Sequence, residues 1–141
     1  MKVMKFGGTS VGSPARMKEV VDLVLKDDKP VFVVLSAMSG TTNTLIEIAD
    51  YLYKKNHEGA NEIINRLEQK YLSYIDELYS TDEYKEKSYK FFQKEFNYLR
   101  SFTNDIFTSF EEKSIVARGE ILSTNMVVNY LQERGIKAIL L

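Results

Sequence analysis

The sequence contains no cysteine, which excludes a disulfide framework, a thiolate metal site and a cysteine nucleophile, and leaves redox chemistry without its usual side chain. It also lacks an excess of either charge. Nineteen Lys and Arg stand against 20 Asp and Glu, so there is neither a basic field for nucleic acid nor an acidic solvating tail. No apolar run approaches the roughly 18 residues that a membrane span needs, and the chain enters MKVMKFGG without a basic segment leading into an apolar core. The expectation is a cytoplasmic protein with no nucleic-acid and no membrane partner. The one histidine, His57, stands between Asn56 and Glu58 and reads as a solvated loop residue, with no metal cluster in the pattern. Internal repeats and low-complexity segments are likewise missing.

What is present fits one domain: 141 residues, 44% of them hydrophobic. Residues 2–6, KVMKF, favour a short strand ended by Gly7-Gly8. Ser13-Pro14 marks a helix start, and Met17, Val20, Val21, Val24 and Leu25 then recur at helical spacing up to the stop at Asp27 to Pro30. VFVVLS, 31–36, is a continuous apolar run, the pattern of a strand buried on both faces of a parallel sheet. Strand, helix and strand in that order imply a right-handed βαβ unit. SAMSGTTN, 36–43, punctuates the chain again, and Thr44 to Glu47 reads as a capping box opening a helix.

From there to about Arg134 the periodicity is helical, with breaks near Asn56 to Gly59, Ser80 to Asp82 and Glu111 to Ser114. A stripe of Tyr89, Phe92, Phe96, Leu99, Thr103, Ile106 and Phe110 requires a partner, and a helix over 60–79 offers Ile64, Leu67, Tyr71 and Leu78. A last helix over about 114–134 ends at Gly135, and IKAILL, 136–141, is a third strand candidate. Three strands are few for a complete α/β sheet, so a part of a larger domain is expected.

Three polar stretches interrupt this pattern. In KFGGTSVG, glycines at 7 and 8 let backbone N–H groups approach an anion, Thr9 and Ser10 add hydroxyls, and Lys5 could neutralise charge on a transferring phosphoryl group. Neither the Walker A nor the dinucleotide glycine spacing fits, because Ser13-Pro14 follows Gly12 and Thr9 occupies a glycine position. A strand-to-helix turn alone also uses glycine. SAMSGTTN has the same layout at the end of the next strand, and ligands in open parallel sheets bind outside the carboxyl ends of strands. Ser36, Thr42 and Asn43 there could bond a small polar substrate or cap a helix. In ARGE, 117–120, Glu120 could receive a substrate ammonium or favour the helix dipole.

Taken together and in this order, KFGGTSVG, SAMSGTTN and ARGEILST resemble the three signatures of the aspartate kinases, within the amino acid kinase family. The resemblance implies a three-layer αβα sandwich of the amino acid kinase type, of which residues 1–141 form the N-terminal portion, with a large helical insertion at about 44–113. It implies transfer of the ATP γ-phosphate to the β-carboxylate of L-aspartate with Mg²⁺, the first step toward lysine, threonine and methionine. Lys5 would contact the transferring phosphate as the catalytic cation. Phe6, Gly7, Gly8, Thr9 and Ser10 would line the ATP phosphates, and Ser36, Thr42 and Glu120 would hold aspartate. No metal ligand is assigned to this chain. The long insertion resembles members fused to homoserine dehydrogenase, and a homo-oligomeric parent is expected. The later Gly-Arg-Gly-Gly-Ser-Asp segment of the family is not in this sequence, so the chain alone is expected to be inactive. The alternatives are another acceptor within the family (glutamate, carbamate, uridylate or N-acetylglutamate) and a non-catalytic helical module that binds a partner through the aromatic stripe.

Overall fold

The computed structural model describes residues 1–103 and 106–141, the side chain of Thr103 excepted. Strands β1 (Lys2–Phe6) and β2 (Val31–Leu35) pair in parallel, with Lys2 opposite Val31 and Phe6 opposite Leu35. Helix α1 (Pro14–Val24) connects them, capped by Ser13, whose Oγ accepts the Arg16 N–H at 3.2 Å, with Pro14 at the first helical position as the sequence indicates. Met17, Val20 and Val21 of α1 are buried.

Two expectations about the sheet fail. The face of β2 that carries Val33 and Leu35 is covered, but Phe32 and Val34 on the other face are 44% and 47% exposed. Among the described residues, helices α1 and α6 (Arg118–Glu133) back the sheet from one side, so the continuous apolar run alternates in burial. The segment 136–141 is not a strand: it pairs with no ladder, and it bounds an open apolar groove of about 880 Å³ with β2, α1 and α6. A strand exists only through its partner's hydrogen bonds, and here the tail stands off from β2.

The helical block follows. Helices α2 (Thr41–Tyr53), α3 (His57–Leu78) and α4 (Asp82–Arg100) are joined by tight turns, and a 3₁₀ turn, Ser101–Thr103, follows α4. Helix α2 begins three residues before the expected capping box. Gly40 is its N-cap, and the Thr44 hydroxyl bonds back to the Gly40 carbonyl at 3.0 Å instead of capping a new helix. His57 is the first residue of α3 and half-buried, with Asn56 capping through the Gly59 N–H at 2.9 Å; it is not a loop residue.

The α3–α4 contact is the one the periodicity calls for. Ile64, Leu67, Tyr71 and Leu78 are buried against Phe92, Phe96 and Leu99, and the Tyr71 ring lies 5.5 Å from Phe92 and 6.0 Å from Phe96. Burying each such ring contributes about 1.5–3 kcal/mol. Beyond Leu99 the stripe does not continue. The Thr103 side chain lies outside the described residues, and Ile106 and Phe110 are 86% and 78% exposed. The expected break at Glu111 to Ser114 is helical instead: α5 (Ser109–Val116) starts with a Thr108–Glu111 capping box, and α6 (Arg118–Glu133) follows it after Ala117. Gly135, at φ 76°, closes α6 as anticipated.

The N-terminus of α4 is capped partly by a side chain from α6. The Glu133 carboxylate accepts the N–H groups of Ser80 and Thr81, at 3.1 and 3.0 Å, and the Thr81 hydroxyl at 2.8 Å.

Truncation separates the two halves of the aromatic stripe. Phe96→Ala is expected to lower the unfolding free energy by about 3–5 kcal/mol and Phe110→Ala by less than about 0.5 kcal/mol, measured by urea unfolding. Equal losses would mean that the stripe continues through 110.

Candidate active site

The loop after β1 is a compact turn. The Gly7 carbonyl accepts the N–H groups of Ser10 at 3.1 Å and Val11 at 3.3 Å, and the Thr9 carbonyl accepts Gly12 at 3.3 Å. Fully buried Val11 pins this turn to the core. The loop after β2 lies beside it, because the Ser36 N–H donates to the Phe6 carbonyl at 3.0 Å and the Ser39 N–H to the Gly8 carbonyl at 3.1 Å. These bonds extend the parallel ladder past the strand ends, where an open sheet presents its ligand crevice.

Two glycines set how closely the parts approach. A Cβ on Gly8 would stand 2.9 Å from the Ala37 carbonyl oxygen. From the other side, a Cβ on Gly119 in the first turn of α6 would stand 2.7 Å from the Ala37 Cβ. One turn further along α6, the Ser123 hydroxyl donates to the Ser36 carbonyl at 2.7 Å. All three sequence motifs therefore meet around Ala37. Gly7 differs, since a Cβ there would meet nothing within 4 Å; nothing inside the chain requires that position to be bare.

The anticipated residues fall as follows. Lys5 is exposed on the open face of β1, and Phe6, at the strand end, is half-buried and gives its carbonyl to Ser36. Gly7, Gly8, Thr9 and Ser10 form the first turn, with Thr9 exposed. Ser36 opens the second loop and lends its carbonyl to Ser123, while Thr42 is half-buried in the first turn of α2. Glu120 projects into solvent from the first turn of α6. The backbone contacts bring the three segments together, and the side chains of Lys5 and Glu120 remain exposed to solvent.

Several contacts in the supporting framework were not anticipated from the sequence, which placed Tyr71 in the core and Arg118 beside Glu120 at a helix start. Buried Thr41 shares a hydrogen bond of 2.7 Å with the Tyr71 hydroxyl from α3; burial holds the Tyr71 phenol well above its ordinary range, and the Thr41 bond opposes that shift only in part. Arg118 lies over the Tyr98 ring, 4.2 Å from its centroid, and 3.5 Å from the Glu95 carboxylate. The Tyr98 hydroxyl shares a 2.7 Å bond with Ser114, and this bond, followed by Arg118, lowers its pKa. Ser123 was detectable as a small polar residue three positions after Glu120 on the same helix face. Tyr71 carried no such signal, because its spacing is that of a core residue.

The fold and site together define a portion of an α/β domain that gathers two strand-end loops and a helix start into one crevice. The amino acid kinase family model matches residues 1–141, and the chain belongs to that family. It is 34% identical over 154 residues to aspartokinase 1, chloroplastic, of Arabidopsis thaliana, a match covering 96% of this chain and 24% of that protein. It is 29% identical over 145 residues to the bifunctional aspartokinase/homoserine dehydrogenase of Buchnera aphidicola, covering 96% and 17%. Its structure superposes on E. coli aspartokinase III in complex with aspartate and ADP with a TM-score of 0.74 at 27% identity, covering 99% of this chain and 30% of that one. The chain thus spans about a quarter of the length of the Arabidopsis relative.

Steric crowding at Ala37 yields a compensation experiment. Gly119→Ala should destabilise the chain by about 1–3 kcal/mol despite the roughly 1 kcal/mol that alanine gains in a helix. Ala37→Gly in the same background should restore most of the loss, and Gly7→Ala should shift the urea midpoint little. A Gly119→Ala protein as stable as the parent would show that α6 does not press on Ala37.

Proposed function

We infer that this chain is the N-terminal portion of an aspartate kinase, carrying the phosphate turn and most of the acceptor site of an enzyme that phosphorylates the β-carboxylate of L-aspartate. The observation that carries this reading is the convergence of KFGGTSVG, SAMSGTTN and ARGE around Ala37 at the carboxyl ends of two parallel strands. The relatives named aspartokinase, and the solved relative holding aspartate and ADP, support the same chemistry.

In this reading an oxygen of the aspartate β-carboxylate attacks the γ-phosphorus, the bond to the bridging oxygen breaks, and ADP leaves. Such a transfer is governed by positioning and charge neutralisation and needs no protein nucleophile. Lys5 neutralises charge on the transferring group, and the turn from Phe6 to Ser10 cradles the phosphates. Gly7 leaves room for their approach, since no side chain or backbone atom fills the space beside it. Ser36 and Thr42 orient aspartate, and Glu120 receives its ammonium group. Mg²⁺ would travel on the phosphate oxygens, as it commonly does with one or two carboxylates and water. Among the described residues no group of three or more His, Cys, Asp or Glu side chains is gathered, and this reading assigns the chain no metal ligand.

The helices over about 44–113 act as an insertion between the second and third motifs. Fusion to homoserine dehydrogenase is consistent with the Buchnera relative's name, and a homo-oligomeric parent completes the proposal. No helix among the described residues is long and apolar enough to cross a membrane. Of the three rings on which the helical-module alternative depends, Phe92 and Phe96 are fully buried in the block and Phe110 alone is exposed, so that reading loses its main support.

In the full-length protein, Lys5→Ala should lower kcat for aspartate phosphorylation by at least about a hundredfold, and Glu120→Gln should raise the KM for aspartate. Competition among aspartate, glutamate, N-acetylglutamate, carbamate and uridylate should favour aspartate; preference for another acceptor would overturn the assignment. For the 141-residue chain, amide shifts at Gly7, Gly8, Thr42 and Glu120 under Mg-ATP and L-aspartate measure what binding it retains without turnover.

A further inference from the structure

Both ends of the proposed acceptor site are tied to the helical block by polar contacts that the fold alone does not demand. The first tie is the bond between the Thr41 and Tyr71 hydroxyls, 2.7 Å and buried. Thr41 precedes Thr42, and Tyr71 is held on α3 by the rings of Phe92 and Phe96 from α4. The second tie is Arg118, two residues before Glu120. Its side chain is 22% exposed, that of Glu95 is 13% exposed, and the Tyr98 ring lies under the guanidinium. Both partners project from α4.

The Arg118 tie is electrostatic and stacked, not a bidentate fork. Arg118 Nε and Glu95 Oε2 are buried without an aligned hydrogen-bond partner among the described residues, although the ion-pair distance is 3.5 Å. A pair desolvated this far is costly unless fixed in place, and the Tyr98 ring supplies that fixing through a cation–π contact. For packing alone, Phe at 71 and an apolar residue at 118 would suffice. Instead the sequence places a hydroxyl on Thr41 and a charge beside Glu120.

We propose that Tyr71 and Arg118 are positioning residues, through which the α3–α4 block sets the separation and orientation of Thr42 and Glu120 and so the affinity for the amino-acid acceptor. Neither touches substrate; each acts on a neighbour that does. This rests on the functional reading above, and it assigns the helical insertion a role in acceptor recognition and none in nucleotide binding, because no such tie runs from α3 or α4 to the turn at 7–10 among the described residues.

The test uses the full-length protein with Tyr71→Phe, Arg118→Gln, Arg118→Lys and Glu95→Gln, in initial-rate kinetics varying L-aspartate and Mg-ATP separately. The expected result is a KM for aspartate raised about five- to tenfold by Tyr71→Phe and by Arg118→Gln, with the KM for ATP within about twofold. Arg118→Lys should recover part of the loss, because charge returns without the planar stack. Phe110→Ala, exposed on the neighbouring helix, should change neither constant. Parallel rises in both KM values, or no change in either, would overturn the proposal. If Arg118→Gln does not fold, Tyr71→Phe, which removes one oxygen, decides alone. If the parent protein phosphorylates no aspartate, the functional reading fails separately. The ties are then judged by amide hydrogen exchange in the same variants: faster exchange confined to 41–43 and 118–121 sustains them, and unchanged exchange there overturns them.

Discussion

Ala37 is pressed from two sides, by the backbone of Gly8 on its carbonyl and by Gly119 on its methyl group, and the arrangement of every functional segment depends on that squeeze. A close-packed interior tolerates few atoms in excess, so the distance between the turn after β1 and the start of α6 is fixed by the absence of two methyl groups. Hydrogen bonds then set direction: Ser39 to Gly8 aligns the first two loops, and Ser123 to Ser36 aligns α6 with the second. Contacts along the backbone, not between functional side chains, assemble the site. That leaves Lys5 and Glu120 exposed to solvent.

The helical block contributes rigidity rather than chemistry. Its core is aromatic, with Tyr71 edge-on to Phe92 and tilted to Phe96, a geometry that adds modestly to simple area burial. Its buried hydroxyls are matched, whereas His57 Nδ1, Asn61 Oδ1, Glu68 Oε2 and Glu95 Oε2 are buried without an aligned hydrogen-bond partner among the described residues. The Tyr79 hydroxyl donates to the Met126 carbonyl at 2.8 Å, and burial pushes that phenol upward in pKa. Asn129 donates to Ser88 at 3.3 Å. Several of these bonds join α6 or α2 to the block, so elements far apart in sequence form one body around the site.

The sequence was most legible where local chemistry decides structure. Ser13-Pro14 announced α1, Gly135 closed α6, and the spacing of Tyr71 with Phe92 and Phe96 predicted the α3–α4 contact. It misled where tertiary context decides. VFVVLS reads as doubly buried because its residues are all apolar, yet burial depends on what lies across Phe32 and Val34. IKAILL reads as a strand for the same reason and lacks a ladder to join. Thr44 and Glu47 match a capping box by letter, but Gly40 already starts that helix and diverts the Thr44 hydroxyl. The three motifs were legible as chemistry, while their meeting point at Ala37 was not, since alanine carries no signal of its own. Tyr71 and Arg118 were hidden differently, one as core and one as a surface charge.

The Glu133 carboxylate on the N-terminus of α4 couples two helices that are far apart in the chain. Thr81 caps that end only weakly by itself, with the Tyr84 N–H 3.5 Å from its hydroxyl, and the carboxylate that takes up the Ser80 and Thr81 N–H groups lies more than fifty residues later in the chain. The first turn of α4 is therefore completed by a side chain from α6, and the two elements depend on one another. The same helix that secures α4 through Glu133 sets Gly119 against Ala37, so both contacts span long sequence separations and share one loop-closure cost.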